Sequence, residues 1–274
     1  MTDFLFSSAE HRTVDGSVVK VAFTSVGAGN LGLHVGGSQA EVLTARTRLE
    51  ERLLGPSALD GFTYLNQVHG TAVFNADQTN PLPAGHRQVL PGAHLSAPTA
   101  DAASSSEAKP LAIMVADCIP VVFIGEHRQS GQPVLGVAHA GRRGLLDGVL
   151  QAEIHDLVAR EAENIHAWLG PSICGRCYEV PESMFTESVA QCAEVASRTS
   201  WGTPGLDLPA GAVAVLSSHP AGIAVHTDTA ACTFETSDLY SHRGHTQRAE
   251  AAGRIAGLVW VESAQNTIDE ETGR

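Results

Sequence analysis

Hydrophobic positions along the chain fall mostly into short runs set off by Gly, Pro and Asn, with a helical rhythm between some of them. Residues 18–24 form the first run and read as a strand, followed by a turn carrying Gly27, Gly29 and Gly32 and a short apolar stretch at 31–35. Ser38 with Glu41 three positions on is a capping box, and the helix it opens carries Val42, Leu49 and Leu53 before Gly55-Pro56 stops it. Residues 62–68 read as a strand ending at His69, with 71–74 continuing beyond Gly70. Two further runs, 111–115 and 121–124, flank Ala116-Asp117-Cys118, and Pro120 should keep that turn from continuing as a regular central strand. Residues 134–138 make a short buried strand. After it Leu145, Leu146, Val149, Leu150, Ile154, Leu157 and Val158 repeat at the spacing of one amphipathic helix. Residues 167–169, 223–226 and 255–261 read as later strands, and Pro181 marks the start of another helix.

Strands and helices mix without strict alternation, which favours an α+β class or a layered mixed sheet over a doubly wound one. The stretch 81–109, rich in Pro, Ala, Ser and Gly, reads as a long surface excursion, loosest at Ser104-Ser105-Ser106. Strands on both sides of it end in chemically interesting residues. One domain over 1–274 is therefore expected rather than two.

Composition narrows the partners. With 17 basic and 30 acidic side chains the formal charge is -13, and aromatics make up 5%. Neither suits a phosphate-backbone binder or a base-stacking platform, so nucleic acid is not an expected partner. No apolar window is long enough to span a membrane, and MTDFLFSSAEHR lacks the form of a signal peptide. Five cysteines make no disulfide framework in a chain of 274 residues, which points to the reducing cytoplasm.

The candidate chemistry lies at strand ends. His69, Cys118 and His139 each follow an apolar run and sit in a tight turn, and three such donors with a fourth position open would suit a catalytic zinc. Read singly, each has a plainer alternative: a hydrogen-bonded histidine, or a buried thiol packed as a small hydrophobe. Cys118 as nucleophile with His139 as base would use the same residues without metal. Asp117 could cap its turn, orient a ligand or move a proton. The run Ala140-Gly141-Arg142-Arg143-Gly144 turns from strand to helix, offering backbone N–H groups and two guanidinium groups to an anion such as phosphate. Cys174 and Cys177 form a CxxC pair with no second pair and no thioredoxin-like surroundings, so no separate function is expected of it; Cys192 and Cys232 are expected to pack inside. The glycines at 27, 29 and 32 do not open a helix, so no dinucleotide site is expected.

The stretches FTSVGAGNLGLHVG, YLNQVHGTAV, MVADCIPVVF, GVAHAGRRGLLDGVL, LGPSICGRCYEV and ACTFETSDLYSHR, in this order, resemble the YfiH-like laccase-domain family. That resemblance implies an α/β/β/α layering around a mixed β-sandwich. It also implies zinc (copper less readily) held by His69, Cys118 and His139. The implied activity is phosphorolysis of adenosine, inosine or methylthioadenosine with phosphate, and hydrolytic deamination of adenosine. Arg143 and Asn30 would contact phosphate or substrate, and Asp117 would join the three ligands in catalysis. The family's older label, copper-dependent polyphenol oxidase, and a zinc-stabilised binding protein are the rival classes. Two positions depart from the family pattern: Arg142 stands where an aromatic is usual, and Val26 where an arginine is usual. Oligomeric state is not legible in the sequence.

Overall fold

The structure, a computed structural model, describes residues 3–56, 61–78 and 97–262. Its strands build two facing sheets. The first is antiparallel in the order β1 (Leu5–Arg12), β2 (Val18–Thr24), β12 (Ile255–Val261), β5 (Leu111–Val115). The second is mixed, in the order β11 (Ala224–His226), β8 (Ala162–Leu169), β6 (Ile119–His127), β7 (Pro133–Ala140), β4 (Ala102–Ser105), β3 (Val73–Asn75), and only its two outermost pairs are parallel. A small hairpin of β9 (Ala196–Arg198) and β10 (Pro204–Leu206) stands apart from both.

Side chains that alternate along each strand divide the core into layers. Val19, Val21 and Phe23 of β2 meet Val122 and Ile124 of β6 between the sheets. The opposite face of the first sheet, with Ala22, Leu258 and Trp260, packs under α1 (Gln39–Leu53) through Leu49. The opposite face of the second, with Val121 and Phe123, packs under α2 (Arg142–Asp147), α3 (Val149–Ala159), α4 (Glu182–Gln191) and α5 (Leu208–Ser217). The layering is α/β/β/α, as the resemblance implied. Central strands covered on both faces are apolar throughout, which is why they were readable as runs. Each large aliphatic fully buried this way contributes roughly 1.5–3 kcal/mol.

Several local expectations change. The capping box forms, with Ser38 and Glu41 bonding each other's backbone N–H. Residues 62–68 do not form a strand: their only strand-like pairings among the described residues are isolated bridges at Thr63 and Asn66. The Gln67 side chain takes the place of a ladder there, bonding both N–H and C=O of Met114. Residues 31–35 do not form a strand; 33 and 34 make a turn. Pro120 does not prevent a central strand; it is the second residue of β6, paired with His139, where a missing N–H costs least. The single helix expected over 145–158 is two, because Gly148 adopts φ 97 and ends α2 before α3 begins. In the expected surface excursion, residues 81–96 lie outside the described residues, but 102–105 form β4, and Ser104 and Ser105 are fully buried. Their small side chains let the neighbouring layers close over the strand, so a low apolar content did not mean exposure. β1 has no apolar run because it is a half-exposed edge strand.

Candidate functional site

Register brings the second and third expected ligands together. Ile119 pairs with Ala140 and Pro120 with His139, so Cys118, just before β6, lies beside the end of β7. His69 arrives separately, on a loop tied to the carboxylate of Asp101. The backbone N–H groups of Val68, His69 and Gly70 all donate to it, at 3.1, 2.8 and 2.6 Å for their closest contacts. His69 has φ 61 and Asp117 φ 82, a left-handed conformation that non-glycine residues adopt at a cost of about 1–2 kcal/mol. Both turns are overdetermined by tertiary bonds, as backbone strain at a working site requires.

The ligand atoms of His69, Cys118 and His139 lie within 4.8 Å of one another. Cys118 Sγ is 3.7 Å from His69 Nε2, and the two imidazole rings meet edge to face with centroids 4.6 Å apart. His139 is buried, while His69 is exposed at the mouth. A Cβ on Gly141 would sit 2.8 Å from the His69 ring and 2.9 Å from Cys118 Sγ, so only glycine lets the loop close against this triangle.

Asp101 is fully buried; burial opposes its charge, but the His139 contact and the backbone N–H bonds outweigh it and hold the carboxyl below its ordinary range. Being ionised, it can only accept, so His139 donates through Nδ1 at 2.9 Å, and Nε2 is the atom left to ligate once the ring is neutral. Burial alone would raise the Cys118 thiol, but the adjacent His139 and His69 bring it down to about 6. Burial likewise works against a charged His139, yet Cys118 and Asp101 raise it to about 9. Without metal, these groups therefore form a thiolate–imidazolium pair. Soft thiolate plus two imidazoles is also a donor set that fits zinc.

The triangle opens into a cleft of about 630 Å³ lined by Arg142, Arg143, Arg243 and Arg254. Arg143 is exposed at its edge. Arg243 Nη2 donates to the Glu179 carbonyl at 3.0 Å, and Arg254 Nη1 to that of Gly253 at 2.9 Å; burial pushes the Arg254 guanidinium below its ordinary value.

Asp117 lines the cleft, but its carboxylate accepts from Thr233 Oγ1 at 2.6 Å, Ser241 Oγ at 2.7 Å and the Arg243 N–H at 2.7 Å. It thus supports the N-cap Ser241 and the first turn of α6 (His242–Arg248) from across the fold, an arrangement suited to positioning. Asn30 does not reach the cleft. Its amide bonds the carbonyls of Gly32, Val35 and Gly36 and accepts from the N–H of Gly32 and Arg254, so it shapes a loop instead. The helix opened by Arg142 is only six residues long, so the anion-binding character of this wall rests on the arginines. Asp101, Arg243 and Arg254 were not anticipated: Asp101 sits in an Ala- and Ser-rich stretch with no periodic signal, Arg243 lies in a polar segment far along the chain, and Arg254 stands directly before the last apolar strand.

Fold and site together define a two-sheet sandwich with helices on both faces and a preformed His–Cys–His cluster at the floor of an arginine-lined cleft. The sequence pattern of the multi-copper polyphenol oxidoreductase laccase family matches residues 12–262, and the chain belongs to that family. It is 37% identical over 240 residues to purine nucleoside phosphorylase ORF3 of Streptomyces griseus, covering 85% of this chain and 87% of the relative. Among solved structures, Neisseria meningitidis protein NMB0706 superposes with a TM-score of 0.72 at 28% identity, covering 95% of this chain and all of the other, 100%. Bacillus licheniformis YfiH shares the fold with a TM-score of 0.69 at 21% identity, over 89% of this chain and 93% of that one.

Proposed function

We propose that this chain is a zinc enzyme of purine nucleoside metabolism that phosphorolyses adenosine, inosine or methylthioadenosine and hydrolytically deaminates adenosine. One observation carries the proposal: the His69–Cys118–His139 triangle opens directly into a cleft lined by four arginines, in a chain whose net charge is -13. Concentrating guanidinium groups there against the overall charge serves an anion, and phosphate is matched by their paired donors. The name carried by the Streptomyces griseus relative supports the same reading.

His69, Cys118 and His139 would hold the metal. Two imidazoles and one thiolate suit zinc better than a multicopper centre, which needs more imidazoles; the other potential ligand cluster among the described residues is three cysteines and a glutamate. Bound zinc would supply Lewis acidity and a water whose pKa is lowered to roughly 7. Arg143, with Arg142 beside it, holds phosphate against the ribose. The phosphate oxygen bonds to C1′ as the C1′–N9 bond breaks, and the base leaves with a proton. In deamination water adds at C6 and ammonia departs. Asp117 positions the Cys118 turn and the N-terminus of α6, while Asp101 orients His139.

We take residues 1–274 as one domain of this family, and the reducing cytoplasm suits its five free cysteines. No helix among the described residues is long and apolar enough to cross a membrane. The deciding experiment is metal analysis of protein purified without metal-binding resin, followed by product profiling from adenosine with and without phosphate. Ribose 1-phosphate and adenine should form only with phosphate, inosine and ammonia in either case. Metal-bearing protein that forms neither product pair would sink the reading. The lowered Cys118 thiol beside a raised His139 favours one rival, a metal-free cysteine hydrolase, which predicts a covalent adduct on Cys118 instead.

A further inference from the structure

Cys174 and Cys177, of which no separate function was expected, gain a third sulfur from Cys232, 58 positions beyond Cys174. Together with Glu235, their ligand atoms lie within 4.8 Å of one another. We propose that Cys174, Cys177 and Cys232, with Glu235 as fourth donor, bind a structural zinc ion that clamps the 172–178 turn to the 232–235 turn.

The backbone is already arranged for this. Each turn presents its donors at positions i and i+3 across a closing bond: Cys177 N–H donates to the Cys174 carbonyl at 3.0 Å, and Glu235 N–H to the Cys232 carbonyl at 3.2 Å. A parallel bridge between Ser172 and Cys232 sets the two turns side by side, with Ser172 N–H on the Ala231 carbonyl and Thr233 N–H on the Ser172 carbonyl. The Cys174 N–H also points at Cys232 Sγ, 3.5 Å away, the kind of outer bond that steadies a metal thiolate. Zinc–sulfur bonds of about 2.3 Å set tetrahedral sulfurs roughly 3.8 Å apart, so small rotamer adjustments suffice.

Ligand count separates this cluster from the first. Four protein donors leave no open position, as in a closed structural site, and buried Cys177, Ile173 and Phe234 pack against the half-buried Cys174 and Cys232. Only Glu235 lies at the rim, paired with exposed Arg176 at 3.4 Å, a contact weak enough to exchange for a metal bond. The thiol protons would pass to solvent on binding. The clamp also bears on the cleft, because Ile173 N–H bonds the Asp117 carbonyl at 2.9 Å and Thr233 Oγ1 bonds its carboxylate at 2.6 Å. It holds from outside the two segments that grip the residue preceding Cys118.

The test maps cysteine alkylation by mass spectrometry in wild-type protein and in a Cys118→Ser variant, each reduced, stripped and then measured with and without added zinc. Zinc should slow alkylation of Cys174, Cys177 and Cys232 by about tenfold or more in both proteins, with Cys192 as the unaffected reference. The Cys118→Ser variant should still retain about one equivalent of zinc. Should that variant fail to fold, the wild-type map alone decides, since it reads each cysteine separately. Rates at the three cysteines that ignore zinc, or a disulfide among them in protein purified anaerobically with zinc present, would overturn the proposal. Neither result depends on nucleoside turnover.

Discussion

Asp101 and His139 are joined twice: the His139 backbone N–H donates to the Asp101 carbonyl at 2.7 Å, and Nδ1 donates to its carboxylate at 2.9 Å. The same carboxylate anchors the backbone that presents His69. One buried acid thus orients two of the three ligands.

Asp101→Asn should therefore damage the site more than an isostere normally would. The amide can satisfy His139 or the loop N–H groups, not both sets, and it carries no charge. Loss of such an outer partner typically lowers metal affinity by about 10- to 100-fold. Competition against a chelator measures this, and wild-type affinity in the variant would show that Asp101 serves only the fold.

Cys118→Ala separates three roles in one protein. As a zinc ligand, Cys118 should take metal affinity and turnover down together. As a nucleophile, it should leave zinc content unchanged while activity vanishes. As core packing, it should cost on the order of 1 kcal/mol and spare activity. We expect the first pattern, read by metal analysis, assay and denaturant melts side by side.

Arg143→Ala should depress phosphorolysis more than deamination, because only phosphorolysis needs bound phosphate. Losing a charge-assisted contact is worth about 1.5–3 kcal/mol, so the ratio of the two rates should change by about 10- to 100-fold. An equal fall in both would assign the arginine to the purine or to the fold.

Glu153 gives the stability a pH dependence remote from the cleft. It is fully buried on α3 against Gly136 of β7; Ser104 bonds one oxygen, and the other has no partner among the described residues. Burial pushes its carboxyl up to about 8, from 4.5. Between those values the folded state keeps a proton that the unfolded state has released. Stability from this group is complete below about 4.5 and is lost as pH rises through about 8. The slope cannot exceed about 1.4 kcal/mol per pH unit. Glu153→Gln should flatten that part of the profile and raise the Tm most at pH 8; an unchanged profile would mean that Glu153 is ionised in the folded protein.

The sequence by itself determined the apolar strands, the Ser38 cap and the three candidate ligands, because each is encoded in a few neighbouring residues. An unbroken run such as 134–138 has to be buried on both faces, and the turn after it has to carry whatever chemistry the strand end presents. Only the tertiary structure decided which polar residues work together. Asp101 gains its role from the 68–70 loop and the end of β7, which meet at its side chain, and Asn30, though adjacent in sequence to the cleft-lining loop, spends its hydrogen bonds on that loop's own backbone. Cys232 joins Cys174 and Cys177 because a bridge at Ser172 aligns two distant turns. Apolar burial is additive and local, so periodicity reveals it. A polar site needs several groups at hydrogen-bond or ligand distance at once, and residues 38 or 58 positions apart reach that distance only through the packing of the sheets and loops between them.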